Sequence, residues 1–413
     1  MPHRFSKLAS GTMDSFIMSL VDVAARPGMT SFSTGLPDNS LFDVEGLAAA
    51  SAEVLRDMRG DALQYDSATG YVPLRKRIAA RCRKELGFDA GYEDVIMTNG
   101  SQECFDLLAR MFLDPGDSMA VENPGYLGAI QSFSAYGPEL LGADVGPDGV
   151  DTDMLSEAVG SGAKLFYSIP NHQNPSGSSY SEKVRSEVAG IVRGSGCLLI
   201  EDDAYGELGY SGRAGRTMKS MAPEDTVLTG SFSKTISPGM RIGWMVVPEW
   251  MRAQAGKSLE AMSLQSGTLC QKIVDRFLED HDYDLYLQRL RRAYSEKKGF
   301  FLDAMEDELP GCMEWNDPKG GMFVWLTSPE GSDAMRIFNA ALERKLVVMP
   351  GKPFHVRGGD NTLRLNFATP SEDQIRVGMK ALGDACRDVL GKRRLAAGGL
   401  SGPSIEVINI RGG

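Results

Sequence analysis

The chain is poor in the residues that build metal sites and cross-linked frameworks, with four histidines and six cysteines in 413 residues. The cysteines, Cys82, Cys104, Cys197, Cys270, Cys312 and Cys386, never adopt a CxxC spacing. That argues against a zinc site and leaves reduced, mostly buried thiols as the expectation. A basic excess is missing too: the formal net charge is -11. Such a surface repels polyphosphate, so neither nucleic acid nor an anionic membrane is expected as a partner. No apolar run is long enough for a bilayer, and the first residues, MPHRFSKLASGTMDSFIMSLVDVAAR, lack the continuous apolar core of an export signal. A cytoplasmic protein without a bound metal is expected.

What is present is an ordinary globular composition, 42% hydrophobic and 24% charged, in a chain long enough for two lobes. Short apolar runs at 95–98, 118–121, 164–168, 197–200, 226–228 and 244–247 alternate with amphipathic stretches. That alternation predicts an α/β fold with a mostly parallel sheet between helices. Residues 251–305 carry helical periodicity, with a long helix expected to bridge the lobes. Strand-like pieces at 322–326, 346–349 and 363–367, then an amphipathic helix over about 371–389, predict a smaller α+β lobe. The tail from Lys392 is basic and glycine-rich; it reads as flexible or, through SIEVINI, as an addition to a sheet edge.

Four segments carry chemistry. GSFSKTISPGMR at 230–241 sets Lys234 after a strand, with Ser231, Ser233 and Arg241 close in sequence, a donor set suited to a phosphate. The run at 197–201 leads into Asp202, Asp203 and Tyr205, and parallel sheets bind ligands at the carboxyl ends of their strands. A carboxylate such as Asp202 beside a pyridine nitrogen keeps that nitrogen protonated. TNGSQ at 98–102 joins a strand to an amphipathic stretch beginning near Glu103. The amides of Gly100, Ser101 and Gln102 would therefore lie at a helix N-terminus, where an anion is favoured. PNHQNPSG at 170–177 is a turn that frees the amide of Asn174 to meet a ring oxygen.

Taken in order, these segments resemble the class I/II aminotransferases of pyridoxal-phosphate (PLP) fold type I, the aspartate aminotransferase superfamily. The similarity is greatest to the kynurenine/2-aminoadipate aminotransferase branch and its multi-substrate relatives. It runs from about residue 5 to 390 and includes SFSTGLPD (31–38), LQY (63–65) with TGY (69–71), ENPGY (122–126), GGMF (320–323) and RLNFA (364–368). The resemblance implies a large domain with a mostly parallel seven-stranded sheet at 45–292 and a small domain at 293–391. It also implies an N-terminal segment, 1–44, packed by the active site, and a tail at 392–413.

The same resemblance implies pyridoxal 5'-phosphate held by Lys234, which forms the Schiff base and shuttles the proton. Asp202 would meet the pyridine nitrogen, Asn174 and Tyr205 the ring oxygen, and Tyr126 the ring face. Ser101, Gln102, Ser231, Ser233 and Arg241 would surround the phosphate, with Tyr65 arriving from the neighbouring subunit of a homodimer. Arg364 would grip the substrate α-carboxylate in a bidentate fork, with Asn174 beside it and Gly35 leaving room. His172, where relatives often carry an aromatic, and Ser176, in place of a common threonine, depart from the pattern and put substrate preference in doubt.

The implied activity is ping-pong transfer of an amino group from an L-amino acid to a 2-oxo acid. The fold does not dictate which bond breaks, so β-elimination, decarboxylation and oxidation stay open. A non-catalytic effector sensor, of the kind found behind a DNA-binding helix-turn-helix domain, is a further alternative. A similarity beginning near residue 5 leaves that alternative no room.

Overall fold

Runs such as VIMT, LFYS and LLIED are apolar at nearly every position, as strands are when helices cover both faces of a sheet. The computed structural model describes residues 4–11, 16–213 and 215–397. In chain order its strands are β1 (Thr30–Ser31), β2 (Val95–Thr98), β3 (Ser118–Asn123), β4 (Glu139–Gly146), β5 (Gly149–Val150), β6 (Leu165–Ser168) and β7 (Leu198–Asp202). They continue with β8 (Thr226–Ser231), β9 (Gly243–Val246), β10 (Glu314–Trp315), β11 (Phe323–Thr327), β12 (Leu346–Val347), β13 (Met349–Pro350) and β14 (Thr362–Asn366).

The main sheet runs β2-β9-β8-β7-β6-β3-β4-β5. Its centre, β8-β7-β6-β3-β4, is parallel, and β9 is antiparallel to both neighbours, so β2 points the same way as β8. This is the expected mostly parallel sheet with one strand more than the expected seven. The addition is the two-residue β5, folded back antiparallel on β4.

Side-chain alternation divides the core. Met119, Val121, Leu165, Tyr167, Leu198 and Ile200 face a large cluster, and Ala120, Phe166 and Leu199 face a second one under the helices Thr152–Gly160 and Glu182–Val192.

The stretch 251–305 forms three helices, Arg252–Ser263, Thr268–Asp280 and Tyr283–Glu308, of which only the last is long. Downstream, β10-β11-β14-β13 make an antiparallel four-stranded sheet. The apolar piece at 346–349 is divided between two sheets: β12 pairs in parallel with β1, and β13 pairs with β14. The last helix, Glu372–Ala397, extends past the expected 371–389, and SIEVINI lies outside the described residues. Four cysteines are buried, Cys270 is half-buried and Cys312 exposed, all as free thiols. Among the described residues, no helix is long and apolar enough to cross a membrane.

Candidate active site

Because β2, β3, β6, β7 and β8 share one direction, the loops leaving their carboxyl ends converge on one edge of the sheet. They line a cavity of about 260 Å³ that contains Gly35, Ser101, Gln102, Tyr126, Asn174, Asp202, Tyr205, Ser231, Ser233, Lys234, Arg241 and Arg364. Twelve of the thirteen site residues expected from sequence thus meet in one place. The thirteenth, Tyr65, is 74% exposed and lines a separate surface depression with Leu63 and Leu269.

Asp202 ends β7 and is buried. It accepts hydrogen bonds from the hydroxyls of Tyr167 (2.8 Å) and Thr229 (3.0 Å). Burial raises its pKa to about 7 against the pull of these donors, and Asp203 and Glu122 push the same way. A cation delivered to this carboxylate would therefore be held strongly. Tyr167 and Thr229 were not foreseen; Tyr167 reads in sequence as strand filler, and only the strand register brings its hydroxyl to Asp202.

Lys234 follows β8 in a loop, and its Nζ donates to the Gly35 carbonyl over 3.0 Å. Burial, then the positive charges of Arg364 and Arg241, lower its pKa to about 8, opposed by Asp202. Far more neutral, nucleophilic amine is thus available near neutral pH than an ordinary lysine supplies, although the protonated form still dominates there.

The same cavity includes a cradle for an anion. The helix Ser101–Phe112 starts at Ser101, two residues earlier than the sequence pattern marked, and its cap, Gly100, contributes no side-chain hydrogen bond. At φ +80°, Gly100 occupies backbone space that a Cβ would spoil by meeting the Arg241 guanidinium. Ser231 Oγ and Ser233 Oγ are 2.8 Å apart beside it. The Gln102 side chain turns away to the Gly128 carbonyl (2.7 Å), so its contribution to an anion is its backbone amide.

Arg364, on β14, is buried between the rings of Phe323 (4.4 Å) and Phe354 (5.0 Å). It donates to Asn174 Oδ1 (2.9 Å) and to the Ser33 carbonyl, and its Nε has no partner. Burial lowers its pKa to about 10, which leaves it charged at neutral pH. No carboxylate among the described residues forms an ion pair with it, so the site holds a buried cation facing a cavity. Asn174 also hydrogen-bonds Tyr205, whose hydroxyl pKa burial raises.

Two loops are pinned from beneath by Glu122, unforeseen as a site residue. Its carboxylate accepts from Gln173 Nε2, Tyr180 Oη, Ser168 Oγ and the Ile169 amide. Gln173 in turn donates to the Pro124 carbonyl, which ties the Tyr126 loop to the Asn174 loop. His172 lies outside the cavity lining, buried against Gly320, which has no side chain to obstruct the imidazole.

A lysine of lowered pKa, a buried carboxylate with no cationic partner among the described residues, the side chains of Asn174 and Tyr205 and an anion cradle line one cavity, and together they fit a phosphorylated pyridine aldehyde. The comparisons with known proteins point to the same cofactor. Residues 28–382 match the family model for aminotransferase class I and II. The chain is 33% identical over 396 residues to aromatic-amino-acid aminotransferase 1 of Thermococcus litoralis, covering 94% of this chain and 95% of that one. It is 36% identical over 392 residues to the 2-aminoadipate transaminase of Thermus thermophilus, covering 94% and 97%. Among solved structures, the α-aminoadipate aminotransferase of Thermus thermophilus, complexed with N-(5'-phosphopyridoxyl)-L-leucine, superposes with a TM-score of 0.86 at 36% identity. That match covers 94% of this chain and 98% of the other. The chain belongs to the class I and II aminotransferases and is a pyridoxal-phosphate-dependent aminotransferase.

Proposed function

We propose that the enzyme carries its cofactor on Lys234 and binds the substrate α-carboxylate at Arg364. The observation that supports this most directly is the buried Arg364 guanidinium, which has no carboxylate partner among the described residues and opens onto the same cavity as Lys234. When bound, PLP supplies an electron sink and a carbon that holds the amino group between half-reactions.

The residues divide the remaining work. Asp202 keeps the ring nitrogen protonated, because a carboxylate denied water is stabilised by a cation against it. Asn174 and Tyr205 donate to the ring oxygen, and Tyr126 stacks on the ring. Ser101 and Gln102, through backbone amides, hold the phosphate with Ser231, Ser233 and Arg241. Arg364 holds the α-carboxylate as a planar fork, with Asn174 at its side, and so turns the Cα–H bond toward Lys234. Gly35 leaves space above. Once the substrate amine has displaced it, the Lys234 amine would be free and neutral to take the Cα proton and hold it for return.

We further read residues 45–292 as the large domain, 293–391 as the small one and 1–44 as a segment closing on the site. Tyr65 would reach the phosphate of a second subunit, making a homodimer with shared sites. The exposure of Leu63, Tyr65 and Leu264, apolar side chains near that depression, supports an interface there. The buried free thiols support a cytoplasmic location. The names of the relatives direct the donor search to aromatic amino acids and 2-aminoadipate.

The test is the visible absorption spectrum of the purified protein before and after single amino acids, with no 2-oxo acid present. A visible band that bleaches with particular amino acids, and returns on adding a 2-oxo acid, is the expected result. No band even after added cofactor would contradict the reading. Products formed without any 2-oxo acid, turnover after turnover, would replace transamination by elimination or decarboxylation.

A further inference from the structure

After Phe32 the chain leaves its sheet pairing and crosses the cavity as a strap, with Thr34, Gly35 and Leu36 on the cavity wall. Its backbone carbonyls are gripped one after another by side chains. Ser33 O accepts from Arg364 Nη2, Thr34 O from Asn366 Nδ2 (2.5 Å) and Gly35 O from Lys234 Nζ (3.0 Å). Leu36 O accepts from Thr369 Oγ1 (2.7 Å) and Asn366 Nδ2 (3.3 Å).

Arg364 and Asn366 alternate with the core residues Leu363 and Leu365 along β14, so both project from one face of the strand. The Asn366 carboxamide is buried, and both of its ends are engaged. Its oxygen accepts from the amides of Ala368 (2.6 Å) and Thr369 (3.2 Å), which commits its NH2 to the strap. Asn366 itself does not line the cavity.

We propose that Asn366 is a positioning residue that fastens this strap over the substrate, holding Gly35 and Leu36 against the amino acid that Arg364 grips. The proposal rests on the reading of Arg364 and Lys234 given above. Its logic is that the same face of one strand holds both the carboxylate-binding guanidinium and the tether of the roof. Substrate seated on Arg364 thereby meets a roof in a fixed register. Loss of the tether costs substrate affinity before it costs chemistry, because the bonds given up end on Thr34 O and Leu36 O and none of them ends on a group that holds the cofactor or moves the proton.

The discriminating variant is Asn366→Asp assayed on the alkaline side, where its buried carboxyl is ionised: it retains the acceptor for the Ala368 and Thr369 amides but has no hydrogen to give Thr34 O or Leu36 O. Thr369→Val removes the other bond to Leu36 without adding charge. Two readouts on the loaded enzyme are needed: steady-state kinetics, and hydrogen exchange of the peptide spanning residues 32–38. The expected result for Asn366→Asp is faster exchange in that peptide and a KM for the amino acid raised about tenfold, the scale of one or two lost neutral hydrogen bonds. The kcat should stay within about threefold of wild type and the visible spectrum unchanged. Thr369→Val should move both readouts the same way by less.

Wild-type exchange and wild-type KM in Asn366→Asp would overturn the proposal. So would faster exchange with an unchanged KM, or a loss of kcat and bound cofactor together with thermal stability. If the wild-type enzyme transaminated no amino acid, the reading of the site would fall, whereas the exchange arm would still report on the tether.

Discussion

Arg364 donates from Nη1 to Oδ1 of Asn174 over 2.9 Å, linking the four-stranded sheet to the loop after β6. With the amide oxygen engaged, the NH2 of Asn174 is left for the pocket and Tyr205. One hydrogen bond thus orients both the guanidinium that would hold substrate and an amide that would meet the cofactor ring.

Arg364→Lys keeps the positive charge but loses the fork and the stack between Phe323 and Phe354. The expected fall in kcat/KM is about 100-fold, the scale of one charge-assisted hydrogen bond, and it should be carried mostly by KM. Bound cofactor, measured by absorbance, should match wild type. A wild-type KM would place the substrate carboxylate elsewhere.

Asp202→Asn should cost about 100-fold or more in kcat, since a neutral amide no longer holds the ring-nitrogen proton. Its effect on stability has the opposite sign in cofactor-free protein. Burial lifts the folded pKa of Asp202 to about 7, above the ordinary 3.8. The penalty for its charged form is therefore absent below that lower value, grows through the window and is complete above pH 7. Cofactor-free Asp202→Asn should accordingly melt above cofactor-free wild type at pH 8, with no advantage near pH 3.5, and should gain less from added cofactor. Equal melting temperatures at pH 8 would refute the assignment of an uncompensated buried carboxylate.

Cofactor loading should depend on pH through Lys234, because only the neutral amine attacks. Burial together with Arg364 and Arg241 brings its pKa to about 8. The rate of PLP uptake by cofactor-free protein should therefore rise between pH 7 and 9. Stopped-flow absorbance reads it directly, and a midpoint near the ordinary lysine value of 10.5 would contradict the described electrostatics.

Tyr65 tests the shared site. Tyr65→Ala should weaken cofactor affinity without unfolding the chain, since the side chain is exposed. Mixing that chain with Lys234→Ala chains should restore activity above either parent. One site of such a heterodimer has both lesions and the other has none. Absence of complementation in a verified heterodimer would confine each site to one chain.

The parts of the fold legible in sequence were those buried on both faces. Strands β2, β6, β7 and β8 announce themselves as short apolar runs between helical patterns. Strand β4 escaped because it lies toward one edge of the sheet, where only Ala143 of its eight residues is fully buried and no alternation survives. The loop 230–241 was legible because Ser231, Ser233, Lys234 and Arg241 are local in sequence. Tyr167, Thr229 and Glu122 were not, because strand register and loop crossing bring them to their partners over 27 to 58 residues. The Asn366 tether was hidden for another reason: its partners are backbone carbonyls, which every residue has.

The central claim is that Lys234 is the residue that carries the cofactor. The most direct measurement is borohydride reduction of the purified, loaded enzyme followed by peptide mapping by mass spectrometry. A phosphopyridoxyl mass on the peptide containing Lys234, abolished in Lys234→Ala while the protein stays folded, is the predicted result. The same mass on another lysine, or its persistence in Lys234→Ala, would contradict the account.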